Sequence, residues 1–242
     1  MELDTIDIIF LVGYVIFVIP MFISLFYEYN KTLETIGDWL VMLTHLLVIP
    51  PVIMDFARKW YVFVLIYSLV TSIFYHLARL GYIGMLHSIG MWDVAAQNIL
   101  MLSTFTLLVY DPMSIPEWAF LGIAGSGLFI ASLGEITIDR FYMYEIVGGV
   151  VMILLVIYLI YRFVRPTPLR NNTYITISSI LAIIACVSFY VGGNIEKHKY
   201  SMCHSIWHIS AYIMLYFVLK SIQTNFKPVR RSSRFSFSTV YS

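Results

Sequence analysis

Charge is what this sequence lacks most. Asp, Glu, Lys and Arg make up 12% of its 242 residues, about half the share of a soluble globular domain. With 60% hydrophobic residues beside so little charge, the chain reads as a polytopic helical membrane protein. Cysteine is almost missing too: Cys186 and Cys203 are the only two. That excludes a disulfide framework, although one bridge between them is sterically open at this stage. A formal net charge of +1, with no basic patch interleaved with aromatics outside the tail, argues against nucleic acid as a partner. The apolar segments are joined by short connections, which excludes a soluble domain of any size, and no internal repeat stands out.

What is present is a series of apolar runs. A membrane span takes about 20 residues, and eight stretches qualify, near 6–27, 36–54, 60–80, 91–110, 115–134, 142–163, 174–193 and 204–219. Pro50-Pro51 is expected to break the end of the second. The expected fold is all-α, a transmembrane helix bundle with a seven-helix core and one extra N-terminal span. Residues 1–35 carry that extra span and the first loop, 36–222 the core, and 223–242 a basic, Ser-rich tail. The first segment read as a signal peptide would leave seven spans, but its Met1-Glu2-Leu3-Asp4 start is acidic where a signal peptide is basic.

Lys and Arg divide unequally between the two sides. Arg58, Lys59, Arg162, Arg165, Arg170, Lys220, Lys227, Arg230, Arg231 and Arg234 fall on one side; Lys31, Arg79, Arg140, Lys197 and Lys199 fall on the other. The positive-inside rule then puts the tail in the cytosol and the start of the last span outside, in the plasma membrane or a membrane of the secretory pathway. The tail itself reads as solvated and attracted to anionic lipid. Asn30-Lys31-Thr32 is a glycosylation sequon in an outer loop, close enough to the membrane to be poorly used.

The most informative stretch opens the last span. His204 and His208 are four residues apart, so both imidazoles share one helix face. Ionisable groups are costly in hydrocarbon and turn towards the bundle interior. The third span ends with Ser72 and His76 at the same spacing, and Asp93 stands near the outer start of the fourth. All five residues fall at one depth, although three helices supply them. Three imidazoles and a carboxylate suit a zinc ion with an open position for water. In that arrangement His76, His204 and His208 bind the metal. Asp93 acts as general base, and Ser72 hydrogen-bonds a substrate carbonyl or its oxyanion. The competing reading is a set of satisfied polar groups tying helices together.

Other polar residues are assigned plainer roles. His45, inside the second span, is expected to make a helix–helix hydrogen bond. Gln97 and Asn98 follow Asp93 by about one turn and are expected to support it or simply join helices. Asp139-Arg140 reads as a loop ion pair and Glu145 as a helix-start charge. His87 reads as a solvated loop histidine, and Tyr142 and Tyr144 as part of an interfacial aromatic belt.

The block Ser72-Ile73-Phe74-Tyr75-His76, then Asp139-Arg140, and above all His204-Ser205-Ile206-Trp207-His208, resembles the CREST superfamily of membrane proteins, which includes alkaline ceramidases and progestin and adipoQ receptors. Within it the chain is most similar to the family of myomaker and the post-GPI-attachment phospholipase, and Pro50-Pro51 fits that pattern. The resemblance covers about residues 40–220. It implies zinc on His76, His204 and His208, with Asp93 and Ser72 assisting, and hydrolysis of an amide or acyl-ester bond of a membrane lipid. A non-enzymatic alternative is a metal that only staples helices, in a protein of membrane remodelling, cell fusion or lipid sensing. A receptor role is a third.

Overall fold

The computed structural model describes residues 3–26, 31–54, 59–84, 86–109, 172–194 and 199–223, with isolated helical positions at 153, 157, 160 and 164. The described residues are all-helical. Among the described residues seven α-helices run in chain order: α1 Thr5–Ser24, α2 Lys31–Thr44, α3 Ile49–Met54, α4 Lys59–Arg79, α5 Leu86–Val109, α6 Asn172–Asn194 and α7 Tyr200–Gln223, with a 3₁₀ turn at His45–Val48 between α2 and α3. Five helical stretches are long and apolar enough to cross a membrane: Thr5–Ser24, Thr35–Ile53, Tyr61–Arg79, Asn172–Gly192 and Tyr200–Ile222. That is the make-up of a multi-pass membrane protein. The expected fifth span, all of the expected sixth but positions 153, 157 and 160, the sequon's Asn30, Asp139-Arg140, Tyr142, Tyr144, Glu145 and the basic tail lie outside the described residues.

The last helix is the axis of the bundle. α7 packs against α1, α2, α3, α5 and α6, and 94% of its membrane-crossing window is buried, against 22% for α1. The sequence explains the difference. α7 is the least apolar of these spans and carries polar side chains on more than one side, Ser201, Ser205 and His208 towards one face and Ser210 and Ser221 towards the opposite one, so each face needs a protein neighbour inside hydrocarbon. α1 turns Ile9, Ile16 and Phe17 outward, the side a lipid would cover.

Several serine hydroxyls inside the bundle are satisfied by their own helices: Ser205 donates to Ser201 O at 2.9 Å and Ser210 to Ile206 O at 2.7 Å. This leaves Ser210 Oγ free to accept from Tyr14 OH at 3.0 Å, which fastens α1 to α7. In the same way Thr104 donates to Leu100 O, so Tyr61 OH donates to Thr104 Oγ1 at 2.8 Å and joins α4 to α5.

Association inside hydrocarbon depends on close packing, because lipid tails are as apolar as leucine. Gly37 on α2 lets the backbone approach α7 so closely that a Cβ there would lie 2.9 Å from Ser201 Cβ. Gly37→Ala is therefore expected to push α2 off α7 and lower stability by about 1–3 kcal/mol, read as a fall in the thermal midpoint of the detergent-solubilised protein. An unchanged midpoint would mean that the α2–α7 contact is looser than it looks.

Two expectations about helix ends change. Pro50-Pro51 does not break the second span. The helix tightens into the 3₁₀ turn just before the prolines and then continues to Met54. Neither proline has an N–H, so the carbonyls of Leu46 and Leu47 lose their usual donors. Leu46 O is satisfied instead by the Ile49 N–H, three residues on. The expected fourth span falls on α5, which is not among the five membrane-crossing stretches and begins at Leu86, so His87 belongs to α5 and Asp93 sits about two turns into it.

A second polar centre lies at the other end of α7, about three turns beyond His208. Asp7 is fully buried. It accepts from Tyr174 OH at 2.9 Å, from Tyr216 OH at 3.0 Å and from the Lys220 ammonium. Asp4 caps α1 with Asp7 in a reciprocal capping box. Lys220 also reaches Asp4, and that hydrogen bond holds the Asp4 carboxyl below the usual carboxylate range. The first helix is thus bonded into the core through α6 and α7.

Candidate metal centre

His204 and His208 do face one way. Their ring centroids are 4.6 Å apart and their Nε2 atoms 3.0 Å apart. Two imidazole nitrogens at that distance either share a proton or present two lone pairs to a cation. His76 reaches the same place from α4, with its ring 5.1 Å from His204 and 5.7 Å from His208. All three are buried, and both ring nitrogens of His76 have no hydrogen-bond partner among the described residues. An imidazole orphaned on both sides inside a protein is costly. A bound cation would take one of those nitrogens.

His45 is the residue the sequence reading misplaced. It makes no helix–helix hydrogen bond: its Nδ1–H is donated to Val41 O of its own helix at 2.9 Å. Its ring lies 4.6 Å from that of His208 and 5.7 Å from that of His76. The donor atoms of His45, His76 and His208 all lie within 4.8 Å of one another, so these three buried histidines could hold a metal ion, with His45 in the set where the sequence reading has His204, whose Nε2 instead meets that of His208 at 3.0 Å. The donor set fits a borderline metal such as zinc, though imidazole alone does not select one metal. The sequence did carry a signal for His45, an ionisable residue in the middle of an apolar span. Nothing local showed which neighbour its face would meet.

Asp93 and Ser72 are not among the atoms that converge. Asp93 is buried and accepts from Gln97 Nε2 at 3.2 Å, and the same amide reaches Ser68 O at 3.5 Å. Gln97 thereby supports Asp93, as the spacing implied. The Ser72 hydroxyl is next to the Asp93 carboxylate but without a well-aligned hydrogen bond. Tyr67 OH, Ser68 Oγ, Tyr212 OH and Trp207 Nε1 are also buried without partners among the described residues. Such a concentration of unsatisfied polar atoms in one region is more than packing alone requires. Between α5 and α7, a small and mostly apolar cavity of about 30 Å³ is lined by Gln97, Leu100, Thr104, Trp207, His208 and Tyr212, so one of the converging histidines borders an apolar space.

The end of the site nearest the start of α7 is closed by a polar rim. Arg79 lies over the Tyr200 ring at 4.5 Å, and that ring stacks on His204 at 4.9 Å. Asp38 accepts from Ser201 Oγ and pairs with Arg79 at 3.7 Å, which ties α2, α4 and α7 together around the histidines. The Cys186 and Cys203 thiols are both free.

A family model described as "Protein of unknown function (DUF3522)" matches residues 39–209, and the chain belongs to that family. The matched region takes in His45, Ser72, His76, Asp93, His204 and His208. No curated protein and no solved structure matches the chain.

Proposed function

We propose that this member of the DUF3522 family is a zinc-dependent intramembrane hydrolase of the CREST type, cleaving an amide or acyl-ester bond of a membrane lipid from the extracytosolic side. The observation that carries the reading is the convergence of buried imidazoles from separate helices, with both nitrogens of His76 unpartnered among the described residues.

His76 and His208 would hold the metal together with His204, as the sequence reading has it, and His45, which the structure adds to the set, faces them. Bound zinc would polarise the acyl carbonyl and make water acidic enough to supply hydroxide near neutral pH. Asp93, held by Gln97, takes the proton from the attacking water and returns it to the leaving amine or alkoxide. The products are a fatty acid and an amine or lyso-lipid. Ser72 donates its hydroxyl hydrogen to the oxygen where negative charge develops. The apolar cavity beside His208 gives the acyl chain a direction of approach between α5 and α7.

A second reading is favoured by one observation, the extra imidazole. With His204 turned in beside His45, His76 and His208, four nitrogen donors would make the closed coordination of a structural zinc site, in which case the protein acts without catalysis in membrane remodelling or lipid sensing.

Elemental analysis of detergent-purified protein tests the metal itself. The wild type is expected to carry about one zinc per chain, and the His204→Ala/His208→Ala double variant none. Metal-free, well-folded wild type would overturn both readings.

A further inference from the structure

His76, His204 and His208 stand on regular α-helix, but His45 stands on the 3₁₀ turn. A neutral imidazole that donates from Nδ1 keeps its lone pair on Nε2. The Nδ1–H of His45 is committed to Val41 O, so Nε2 is the atom available for coordination. That atom is buried, has no hydrogen-bond partner among the described residues, and belongs to the converging set with His76 and His208. Its tautomer and direction are therefore those of a metal ligand.

The turn beneath it is the weakest backbone in the second span. Val41 O accepts the Thr44 hydroxyl at 2.6 Å as well as the His45 ring. Side-chain bonds of this kind back onto the preceding turn and bend helices. Pro50 and Pro51 then supply no donors to the following turn. Mid-helix 3₁₀ segments of this kind serve as hinges.

We infer that His45 is the fourth protein ligand of this metal, closing the site to water at rest, and that the 3₁₀ turn is the hinge that withdraws it. The inference rests on the metal reading above and adds a means of regulating it. With His45 bound, four imidazoles leave no position for water; with His45 withdrawn, three remain and a water or a lipid carbonyl takes the fourth place. The two readings of the site become two states of one protein.

X-ray absorption at the zinc edge tests this on zinc-loaded full-length protein in detergent, because multiple scattering counts imidazole ligands. Wild type is expected to show four imidazoles and no oxygen ligand, and His45→Ala three imidazoles and one oxygen with zinc retained. Should His45→Ala fail to fold, the wild-type count decides alone, together with the spectrum of the cobalt-substituted wild type. Azide leaves that spectrum unchanged if the site is closed and shifts it if a position is open. Three imidazoles and an oxygen in zinc-loaded wild type, or four imidazoles persisting in His45→Ala, would overturn the inference while leaving the metal reading intact. Absence of zinc after loading would overturn both.

Discussion

Asp93→Asn is expected to lower hydrolysis of acyl-labelled phosphatidylcholine and ceramide, whichever proves to be a substrate, by about 10²- to 10⁴-fold, the usual contribution of a general base. Zinc content and thermal midpoint are expected to stay near wild type. Asn keeps the shape of the side chain and an oxygen able to accept from Gln97, whose amide donates to Asp93 Oδ1 at 3.2 Å. It cannot take a proton from water. Asp93 also lies outside the set of converging histidine atoms, so its loss should leave the metal in place. Acyl release from mixed micelles and elemental analysis on the same preparation give the two readouts. Turnover retained in Asp93→Asn would remove Asp93 from the chemistry. Loss of zinc instead would make it a ligand.

The largest stability effect is expected at the opposite end of α7. Asp7→Ala leaves the Lys220 ammonium with Asp4 alone and strips the acceptor from the Tyr174 and Tyr216 hydroxyls. Removing one partner from a buried ion pair destabilises by about 3–5 kcal/mol. Asp7 is fully buried, whereas the Lys220 side chain keeps 16% of its surface exposed. Lys220 can thus swing outward and recover part of that, which places the expected loss near the lower bound. Lys220→Ala should cost a similar amount by stranding the carboxylate. The double variant should cost less than the sum, since the two residues act as one unit. Thermal unfolding of the three variants in detergent measures this. Additive effects, or single losses under about 1 kcal/mol, as for an exposed pair, would mean that the network holds no helices together.

Much of the site was legible because its key signals are local. His204 and His208, like Ser72 and His76, are four residues apart, and the helical repeat alone puts each pair on one face. Gln97 under Asp93 follows from the same spacing. Helix ends were less legible. α7 starts at Tyr200, one turn before the motif, and α5 at Leu86 rather than near Met91, because a polar residue at the end of a span can be helical without being apolar. The Pro50-Pro51 misreading has a similar root. Missing donors weaken a turn, but three-residue bonds can carry the helix past it when the flanking residues are packed.

By itself, then, the sequence determined a multi-pass helical membrane protein, the positions of its described spans, and two residue pairs aimed inward by periodicity and by the cost of charge in hydrocarbon. Only the tertiary structure decided which faces meet. It brought His45 against His208, although 163 residues separate them, and it paired Asp7 with Lys220 across 213. Periodicity tells a residue which side of its own helix it occupies. The partner across the interface is chosen by close packing, by glycines such as Gly37 that admit a neighbour, and by the need of every buried polar group for a partner.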